Sequence, residues 1–298
     1  MHLNFESLTE PAKRVAYDLS SRGAQAHLDD LGGGVLRIAM STPYTRLLKM
    51  PSSAYLVGDV LIDSGFRWVR EAVMRALAGR RLRVVIVTHH HEDHVGNCGP
   101  IADLAGAEVL MYRPEHRFGE GVMDMEPYRR ITWGSSTDYL PKPLGDTVEA
   151  QLSGRARPLR VVPTPGHSAT HVCFVDDETG TVFSGDLYIA AGAAAVMPHE
   201  DPYQHVASLR AIAALDPERM LSGHGHDLAR PAAKLTTKAE RIEEVIERVR
   251  ALHGQGLGEA EIESRVFRHG KGREKVWSRI TAHEFSRQNL IRGVIRGL

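Results

Sequence analysis

The chain has 298 residues, of which 42% are hydrophobic, and its acidic and basic residues balance to a formal net charge of +0. This length and composition suit a stable globular protein, built as one elaborate domain or as a large domain with a smaller one. The zero net charge argues against a protein that mainly coats nucleic acid or an anionic membrane. Two cysteines, Cys98 and Cys173, are too few for a disulfide framework, so we expect both to be buried.

The sequence shows no feature of a membrane or secreted protein. Its first residues lack the basic and apolar regions of a secretory signal, and no stretch reaches the roughly 18 apolar residues of a membrane span. We therefore predict a soluble, cytoplasmic protein without a membrane partner.

Short β-branched runs alternate with amphipathic segments over the first 230 residues, a pattern that predicts an α/β fold. The predicted strands are 35–39, 54–57, 60–63, 84–88, 108–112, 159–163, 171–176, 181–184 and 219–222. The links 58–59 and 177–180 are typical of hairpins, so part of the sheet is expected to be antiparallel. Helices are predicted at 12–21, 68–78 and 203–215.

Two segments depart from this alternation. Residues 113–158 show no clear period, which predicts a loop-rich insertion of the kind that often forms a substrate-binding wall. After Pro231 the sequence becomes wholly helical, with helices predicted at 235–252, 259–268 and 274–292. These patterns predict an α/β domain over residues 1–230 and a helical domain over residues 231–298.

A run of six polar residues from His89 to His94 follows the strand predicted at 84–88. Such a run belongs at the C-terminal edge of a sheet, where α/β proteins place ligands and metals. His89 and His91 can point to one side, while Asp93 and His94 turn toward a second position at the start of a helix. One segment can thus supply two adjacent metal ions, and imidazoles with carboxylates are the ligands expected for zinc or iron.

Three later strands each run into a turn of small residues that presents a single candidate ligand. These ligands are His167, Asp186 and His224, and each has a glycine beside it. Glycine lets the backbone pass close to a crowded centre. Four strand ends that carry metal-binding side chains in one chain favour a metal site over a set of unrelated residues.

These residues resemble the metallo-β-lactamase superfamily, and its glyoxalase II and β-lactamase-like 2 branches in particular. The HxHxDH signature of that superfamily is met in full over residues 89–94, and the resemblance covers roughly residues 35–226. It implies an αββα sandwich of two facing mixed sheets with outer helices, followed here by a C-terminal helical extension. Asn97 stands where the family often has a second glycine, and the distance from His94 to His167 is longer than in compact members such as glyoxalase II.

The resemblance also implies a role for each candidate ligand. The expected metal ligands are His89, His91 and His167 on a first ion, Asp93, His94 and His224 on a second, and Asp186 bridging both. Asp63 would support the site without binding metal. Tyr188 is a candidate catalytic residue that polarises the substrate carbonyl.

The remaining residues near these motifs are given structural interpretations. His90 and Glu92 are expected to face away from the metals or to hold the loop, and His171 to pack or to support a ligand. Ordinary surface or loop positions are predicted for His116, His199, His205, His226 and His253.

Two divalent metal ions that share a water can present hydroxide as a nucleophile near neutral pH. The sequence therefore predicts a binuclear hydrolase, with zinc as the expected metal and iron or manganese as alternatives. Asp93 would bind metal and orient the nucleophile or accept its proton. The first predicted substrate is a small-molecule ester, thioester or lactone.

Two alternative functions stay open at this point. An endoribonuclease or phosphodiesterase would use the basic tail, where nine Lys or Arg residues from Arg265 onward stand against two Glu. A mononuclear iron persulfide dioxygenase would use His89, His167 and Asp186 on one iron. Apolar positions in the helical tail also allow a homodimer.

Overall fold

The computed structural model describes residues 19–113, 126–136, 139–189, 195–267 and 278–298. The chain forms two units: unit 1 is Met1–Leu159 with Gly223–Gly225, and unit 2 is Arg160–Ser222 with His226–Leu298. Most of the helix predicted at 12–21 lies outside the described residues. The domain boundary predicted at residue 230 stays a prediction.

The first sheet has seven strands in the order β1-β2-β3-β4-β5-β6-β7. They are β1 (Gln25–Asp30), β2 (Val35–Ser41), β3 (Ser52–Val57), β4 (Val60–Ile62), β5 (Val84–Val87), β6 (Glu108–Met111) and β7 (Lys142–Pro143). Neighbours from β1 to β4 are antiparallel, which confirms the predicted 58–59 hairpin, and neighbours from β4 to β7 are parallel. Every residue of β4 and β5 is buried, as expected for apolar strands in a covered parallel region.

The helices of unit 1 are short. They are α1 (Pro43–Leu48), α2 (Arg70–Leu77) after a 3₁₀ turn (Arg67–Val69), α3 (Glu92–Val95), α4 (Cys98–Ala105) and α5 (Pro127–Thr132). The sequence prediction of a helix at 68–78 is confirmed by α2 and its 3₁₀ turn. α1 was not predicted; it begins at a capping box made by Thr42 and Thr45, with Pro43 in the first turn.

The second sheet has six strands in the order β13-β12-β11-β10-β9-β8. They are β8 (Thr147–Leu152), β9 (Arg155–Pro163), β10 (Val172–Asp176), β11 (Thr181–Phe183), β12 (Arg219–Leu221) and β13 (Asp227–Ala229). β10 and β11 pair antiparallel, which confirms the hairpin predicted at 177–180, whereas β11 and β12 are parallel.

The prediction that residues 113–158 form a loop-rich insertion is wrong for its described part. That part contains α5, β7, β8 and the start of β9. β8 alternates polar, exposed positions with apolar positions, so the alternation of a half-buried strand is present in its sequence.

Unit 2 carries the longer helices, α6 (Pro202–Ala214), α7 (Ala232–Gly254), α8 (Glu259–Val266) and α9 (Arg287–Arg296). α6 and α7 confirm the helices predicted at 203–215 and 235–252. α8 confirms the helix predicted at 259–268 as far as that range is described. The continuous helix predicted at 274–292 is wrong in its described part, because residues 281–286 are not helical and α9 begins at Arg287. Ala282 and His283 have positive φ, and the Ser286 side chain caps α9 by accepting a hydrogen bond from Asn289 N.

Within the described residues, no helix is long and apolar enough to cross a lipid bilayer.

Both cysteines are buried, as the sequence predicts, and burial raises the pKa of the Cys98 and Cys173 thiols to about 12. Because the thiolate is the reactive form, neither should be alkylated in the folded protein. We expect iodoacetamide at pH 8 to leave the mass of the native protein unchanged and to add two groups after unfolding in guanidinium. Equal alkylation of native and unfolded protein would contradict the burial of these thiols.

Candidate metal centre

The polar run after β5 forms the first part of the candidate site, within unit 1. The chain leaves β5 at Val87 and enters α3 with His91 as its N-cap residue. His89 and His91 are 0% and 3% exposed, and His89 Nε2 lies 3.0 Å from His91 Nδ1. α3 begins directly after His91. The side chains of Asp93 and His94 therefore project from a helix, in a different direction from those of His89 and His91.

Asp93, His94 and His224 form a second set of donors in unit 1. The Asp93 Oδ2 atom lies 3.6 Å from His94 Nε2 and 3.6 Å from His224 Nε2. These separations are too long for hydrogen bonds. Two ligands bound to one zinc ion at a tetrahedral angle lie about 3.4 Å apart, given Zn–N and Zn–O bonds of about 2.1 Å. The three side chains are therefore spaced as ligands of one metal ion.

His224 follows β12 in sequence, yet residues Gly223–Gly225 belong to unit 1. Ser53 N donates a hydrogen bond to Gly223 O at 2.6 Å, and His224 Nδ1 lies 2.8 Å from Pro51 O. A carbonyl can only accept, so the proton sits on His224 Nδ1 and the lone pair of Nε2 points toward Asp93. β3 and the residue before it thus hold His224 in the tautomer that can bind metal.

Asp63 supports this set in the way that the resemblance implies. Its Oδ2 atom lies 2.7 Å from His94 Nδ1, and its carboxylate accepts hydrogen bonds from Thr88 N at 2.8 Å and Thr88 Oγ1 at 2.9 Å. A carboxylate against the outer nitrogen of a ligating histidine fixes the ring and makes it more basic. Asp63 has a φ of 59°, a conformation that asparagine also tolerates.

We expect Asp63→Asn to lower zinc affinity by about 10- to 100-fold, the usual effect of removing such a support. The amide keeps the shape of the side chain but presents NH₂ or a weaker acceptor to His94 Nδ1. The measurement is a competition titration of metal-free protein against a zinc chelator. Asp29→Asn, which changes a half-exposed carboxylate paired with Arg37 in the same unit, is the control and should bind zinc as the wild type does.

Glu92, between the candidate ligands His91 and Asp93, forms a buried ion pair with Arg129. Arg129 Nε and Nη2 donate to Glu92 Oε1 and Oε2 at 2.7 and 2.6 Å. Burial raises the pKa of the Glu92 carboxyl, and the Arg129 guanidinium opposes that rise. The structure confirms that Glu92 holds the loop. Its partner Arg129 lies on α5, 37 positions later, and no motif in the sequence points to this pair.

In unit 2, the candidate ligands His167 and Asp186 follow β9 and β11. Both are buried, and His167 Nε2 lies 3.5 Å from Asp186 Oδ2, again a separation expected between two ligands of one metal. His167 Nδ1 lies 3.5 Å from Glu200 Oε2, so a carboxylate stands against the outer nitrogen of this histidine as well. Glu200 was not found from the sequence, since it lies 33 positions after His167 with no motif around it.

His171 positions the backbone of Asp186. Its Nδ1 lies 2.8 Å from Thr164 Oγ1, and its Nε2 accepts a hydrogen bond from Asp186 N at 3.1 Å. Because Nε2 accepts, the proton of the neutral ring is on Nδ1 and is donated to Thr164. The structure thereby confirms that His171 supports a candidate ligand.

Gly166 shows why a glycine precedes His167. Its φ is +136°, and a Cβ atom built on it would lie 2.5 Å from His205 Cα. No other residue fits this conformation and this close approach. The turn that presents His167 therefore packs directly against α6.

His205 corrects the sequence prediction of an ordinary surface or loop position. It lies on α6 and is 9% exposed, and burial holds the pKa of its imidazole well below the ordinary value. His199, His226 and His253 are exposed, as predicted. His116 lies outside the described residues.

Tyr188, the candidate catalytic tyrosine, lies in the apolar core of unit 2 and is 7% exposed. The Lys238 Nζ atom lies 5.0 Å from the centre of its ring, and the His226 ring is 6.4 Å away. The catalytic role of Tyr188 stays a prediction.

The described residues of the basic tail make contacts within unit 2. Arg265 pairs with Glu261 at 2.6 Å, and Arg292 pairs with Glu259 at 2.8 Å. The guanidinium of Arg287 lies 4.7 Å from the Phe267 ring centre. Four of the nine basic residues lie outside the described residues, so the nucleic-acid alternative stays a prediction.

The comparisons with known proteins identify the family of this chain. The family model of the metallo-beta-lactamase superfamily matches residues 48–224, more than half of the chain. The chain belongs to this superfamily. The matched range contains all seven candidate ligands.

Two relatives illustrate the similarity within the superfamily. The chain is 29% identical to beta-lactamase-like protein 2 homolog of Drosophila melanogaster over 69% of the chain and 68% of that protein. It is 34% identical to hydroxyacylglutathione hydrolase of Alkalilimnicola ehrlichii over 57% of the chain and 57% of that protein. The match with the hydrolase thus spans little more than half the length of that relative.

A solved structure shows the same fold. The metallo-beta-lactamase family protein of Thermus thermophilus matches with a TM-score of 0.65 and 22% identity, over 90% of this chain and 94% of that one. This likeness confirms the predicted fold class, the metallo-β-lactamase α/β fold with two mixed sheets and C-terminal helices.

Proposed function

We propose that the chain is a binuclear metallohydrolase that cleaves the ester-type bond of a small-molecule ester, thioester or lactone. The observation that carries the proposal is the spacing of the donor atoms. In unit 1, Asp93 Oδ2 lies 3.6 Å from Nε2 of both His94 and His224. In unit 2, His167 Nε2 lies 3.5 Å from Asp186 Oδ2. Membership of the superfamily supports joining these donors into one centre.

The donor set suits zinc, the metal that we propose, since it consists of histidine nitrogens and single carboxylate oxygens; iron accepts the same donors. The proposed ligands are His89, His91 and His167 for one ion, His94, His224 and Asp93 for the other, and Asp186 for both. When bound, two such ions lower the pKa of a shared water toward neutrality and polarise the carbonyl of the substrate.

The residues of the chain have three tasks in this proposal. Asp63 and the Pro51 carbonyl hold the outer nitrogens of His94 and His224 by hydrogen bonds, so that the inner nitrogens stay oriented. The Glu200 carboxylate lies 3.5 Å from the outer nitrogen of His167 and favours the same orientation electrostatically. Asp93 orients the attacking water or accepts its proton. Tyr188 donates a hydrogen bond to the carbonyl oxygen of the substrate.

A thioester is the preferred substrate within this class. One relative is named hydroxyacylglutathione hydrolase, and an acyl group carried by glutathione is joined through sulfur. The same centre can hydrolyse esters and lactones, because all three reactions pass through attack on an acyl carbon.

The proposal is tested first by elemental analysis of protein purified without added metal, followed by assays on a panel of thioesters, lactones and phosphodiesters. We expect two zinc ions per chain and turnover of a thioester or lactone. One iron per chain, little zinc, and oxygen consumption with a persulfide would replace the proposal by the dioxygenase alternative. Two metal ions with turnover of phosphodiesters alone would also overturn it.

A further inference from the structure

Asn97 is a buried amide in unit 1 that the proposed chemistry does not use. It is 0% exposed and stands directly before the first residue of α4, where its carbonyl accepts a hydrogen bond from Ile101 N at 3.0 Å. An asparagine at this position usually caps the helix with its side-chain oxygen, but the side chain of Asn97 makes no such bond. The amide serves another part of the structure instead.

The Asn97 side chain holds the loop 63–66, which follows β4. Its Nδ2 atom donates to Ser64 O at 3.0 Å and to Phe66 O at 2.9 Å, so both protons of the amide are used. The backbone N of Asn97 donates to Ser64 Oγ at 3.1 Å. Three hydrogen bonds thus join one residue at the start of α4 to this loop.

The loop 63–66 in turn contacts the proposed ligand His94. Ser64 N and Ser64 Oγ both donate to His94 O, at 2.7 and 2.9 Å. Asp63 Oδ2 lies 2.7 Å from His94 Nδ1. The loop therefore fixes both the backbone and the ring of His94, and any shift of the loop reaches the Nε2 atom that faces Asp93.

The backbone of the loop 63–66 needs contacts that hold it in place. Asp63 and Gly65 have φ values of 59° and 70°. A residue other than glycine keeps such a left-handed conformation only where the surrounding structure enforces it. The two bonds from the Asn97 amide restrain the backbone on either side of Gly65, next to the strained residue Asp63.

We infer that Asn97 is a positioning residue of the metal centre: it holds the loop so that the Asp63 carboxylate stays against His94 Nδ1 and His94 Nε2 stays directed at its ion. The inference rests on the proposed function, because it requires that His94 binds metal. It extends that proposal by assigning part of the metal affinity to an amide that donates to the loop and not to a ligand.

The test measures zinc affinity and stability separately. Zinc-loaded protein is equilibrated with chelators of increasing affinity, and the zinc retained per chain is counted while far-UV circular dichroism follows the fold. Stability is measured by urea unfolding of metal-free protein. The first variant is Asn97→Ala, which removes the amide. The second is Asn97→Ser, which can still begin a helix but has one proton and cannot serve both carbonyls.

Asn289→Ala is the matched control in unit 2. Asn289 is 4% exposed, and its Nδ2 atom also donates to backbone carbonyls, those of Val196, His283 and Glu284. Asn289→Ala should lower the midpoint of urea unfolding and keep the zinc affinity of the wild type.

We expect Asn97→Ala to hold one of its two zinc ions with about 10-fold lower affinity, the lower end of the effect of losing an outer support. Asn97→Ser should lower the affinity in the same direction, and it gives the reading if Asn97→Ala does not fold. In an Asp63→Asn background, the loss from either variant should be at least about 3-fold smaller, because residues of one hydrogen-bond network are coupled. A residue that only stabilised the fold would not produce this coupling.

The outcomes separate this inference from the proposed function. A wild type that holds two zinc ions but cleaves no thioester, ester or lactone would refute the proposed function and leave the role of Asn97 standing. Three results would each overturn that role: unchanged zinc affinity in the Asn97 variants, an equal fall in Asn289→Ala, or additive losses with Asp63→Asn.

Discussion

Replacing Asp186 by alanine is expected to lower the bound metal and to abolish hydrolysis, while the protein stays folded. Asp186 is 4% exposed, lies 3.5 Å from His167 Nε2 and is the one proposed ligand shared by both ions. Removal of a shared ligand weakens both metal positions at once. We expect the metal content to fall below two ions per chain and kcat/KM to fall at least about 100-fold, the lower end of what one preorganised electrostatic group contributes.

Three measurements check this expectation on one preparation: elemental analysis, turnover of the best thioester, and far-UV circular dichroism. Asp177→Ala is the matched control, because it removes a carboxylate from the same unit that is 61% exposed and pairs with Arg160. That variant should keep the metal content and the turnover of the wild type. Unchanged turnover in Asp186→Ala would remove Asp186 from the proposed centre.

Breaking the buried pair of Arg129 and Glu92 is expected to have the largest effect on stability. In Arg129→Met, the Glu92 carboxyl stays 0% exposed and loses the guanidinium that donates to both of its oxygens. Removing one partner of a buried ion pair costs about 3–5 kcal/mol of unfolding free energy. Because Glu92 lies between His91 and Asp93, the zinc affinity of the same variant should fall as well.

A double-mutant cycle separates the pair from its surroundings. Arg129→Met with Glu92→Met removes both charges, and we expect it to recover most of the loss, since replacing a whole buried pair by apolar residues is often neutral. The free energies are measured by urea unfolding of metal-free protein. Arg160→Met is the control, because Arg160 makes the same two-point contact with an exposed carboxylate, and such pairs contribute about 0–1 kcal/mol. A similar loss of unfolding free energy in Arg129→Met and Arg160→Met would show that burial of the pair is not decisive.

The supports of the candidate ligands follow one rule in both units. Each outer nitrogen of His94, His167 and His224 faces an oxygen, from Asp63, Glu200 and Pro51 respectively. These oxygens come from separate parts of the chain, and none is adjacent in sequence to the histidine that it holds. Asp63 was expected from the resemblance, whereas no motif near the candidate ligands points to Glu200 or to the Pro51 carbonyl.

Much of this protein was determined by its sequence alone. The runs Val84–Val87, Val172–Asp176 and Thr181–Phe183 are apolar, short and bounded by turn residues, so their strands could be predicted to within a residue or two. The candidate ligands could also be predicted, because a polar run after a buried strand has no place in a core. Local chemistry was sufficient in both cases.

Tertiary structure decided what the local pattern leaves open. The burial of His205 depends on the close approach that Gly166 allows, and the pairing of Arg129 with Glu92 joins residues 37 positions apart. Contacts between distant parts of the chain depend on packing and excluded water, which no short stretch of sequence encodes. For that reason the candidate ligands and the support from Asp63 could be predicted from the sequence, whereas Glu200, the Pro51 carbonyl and Arg129 required the fold.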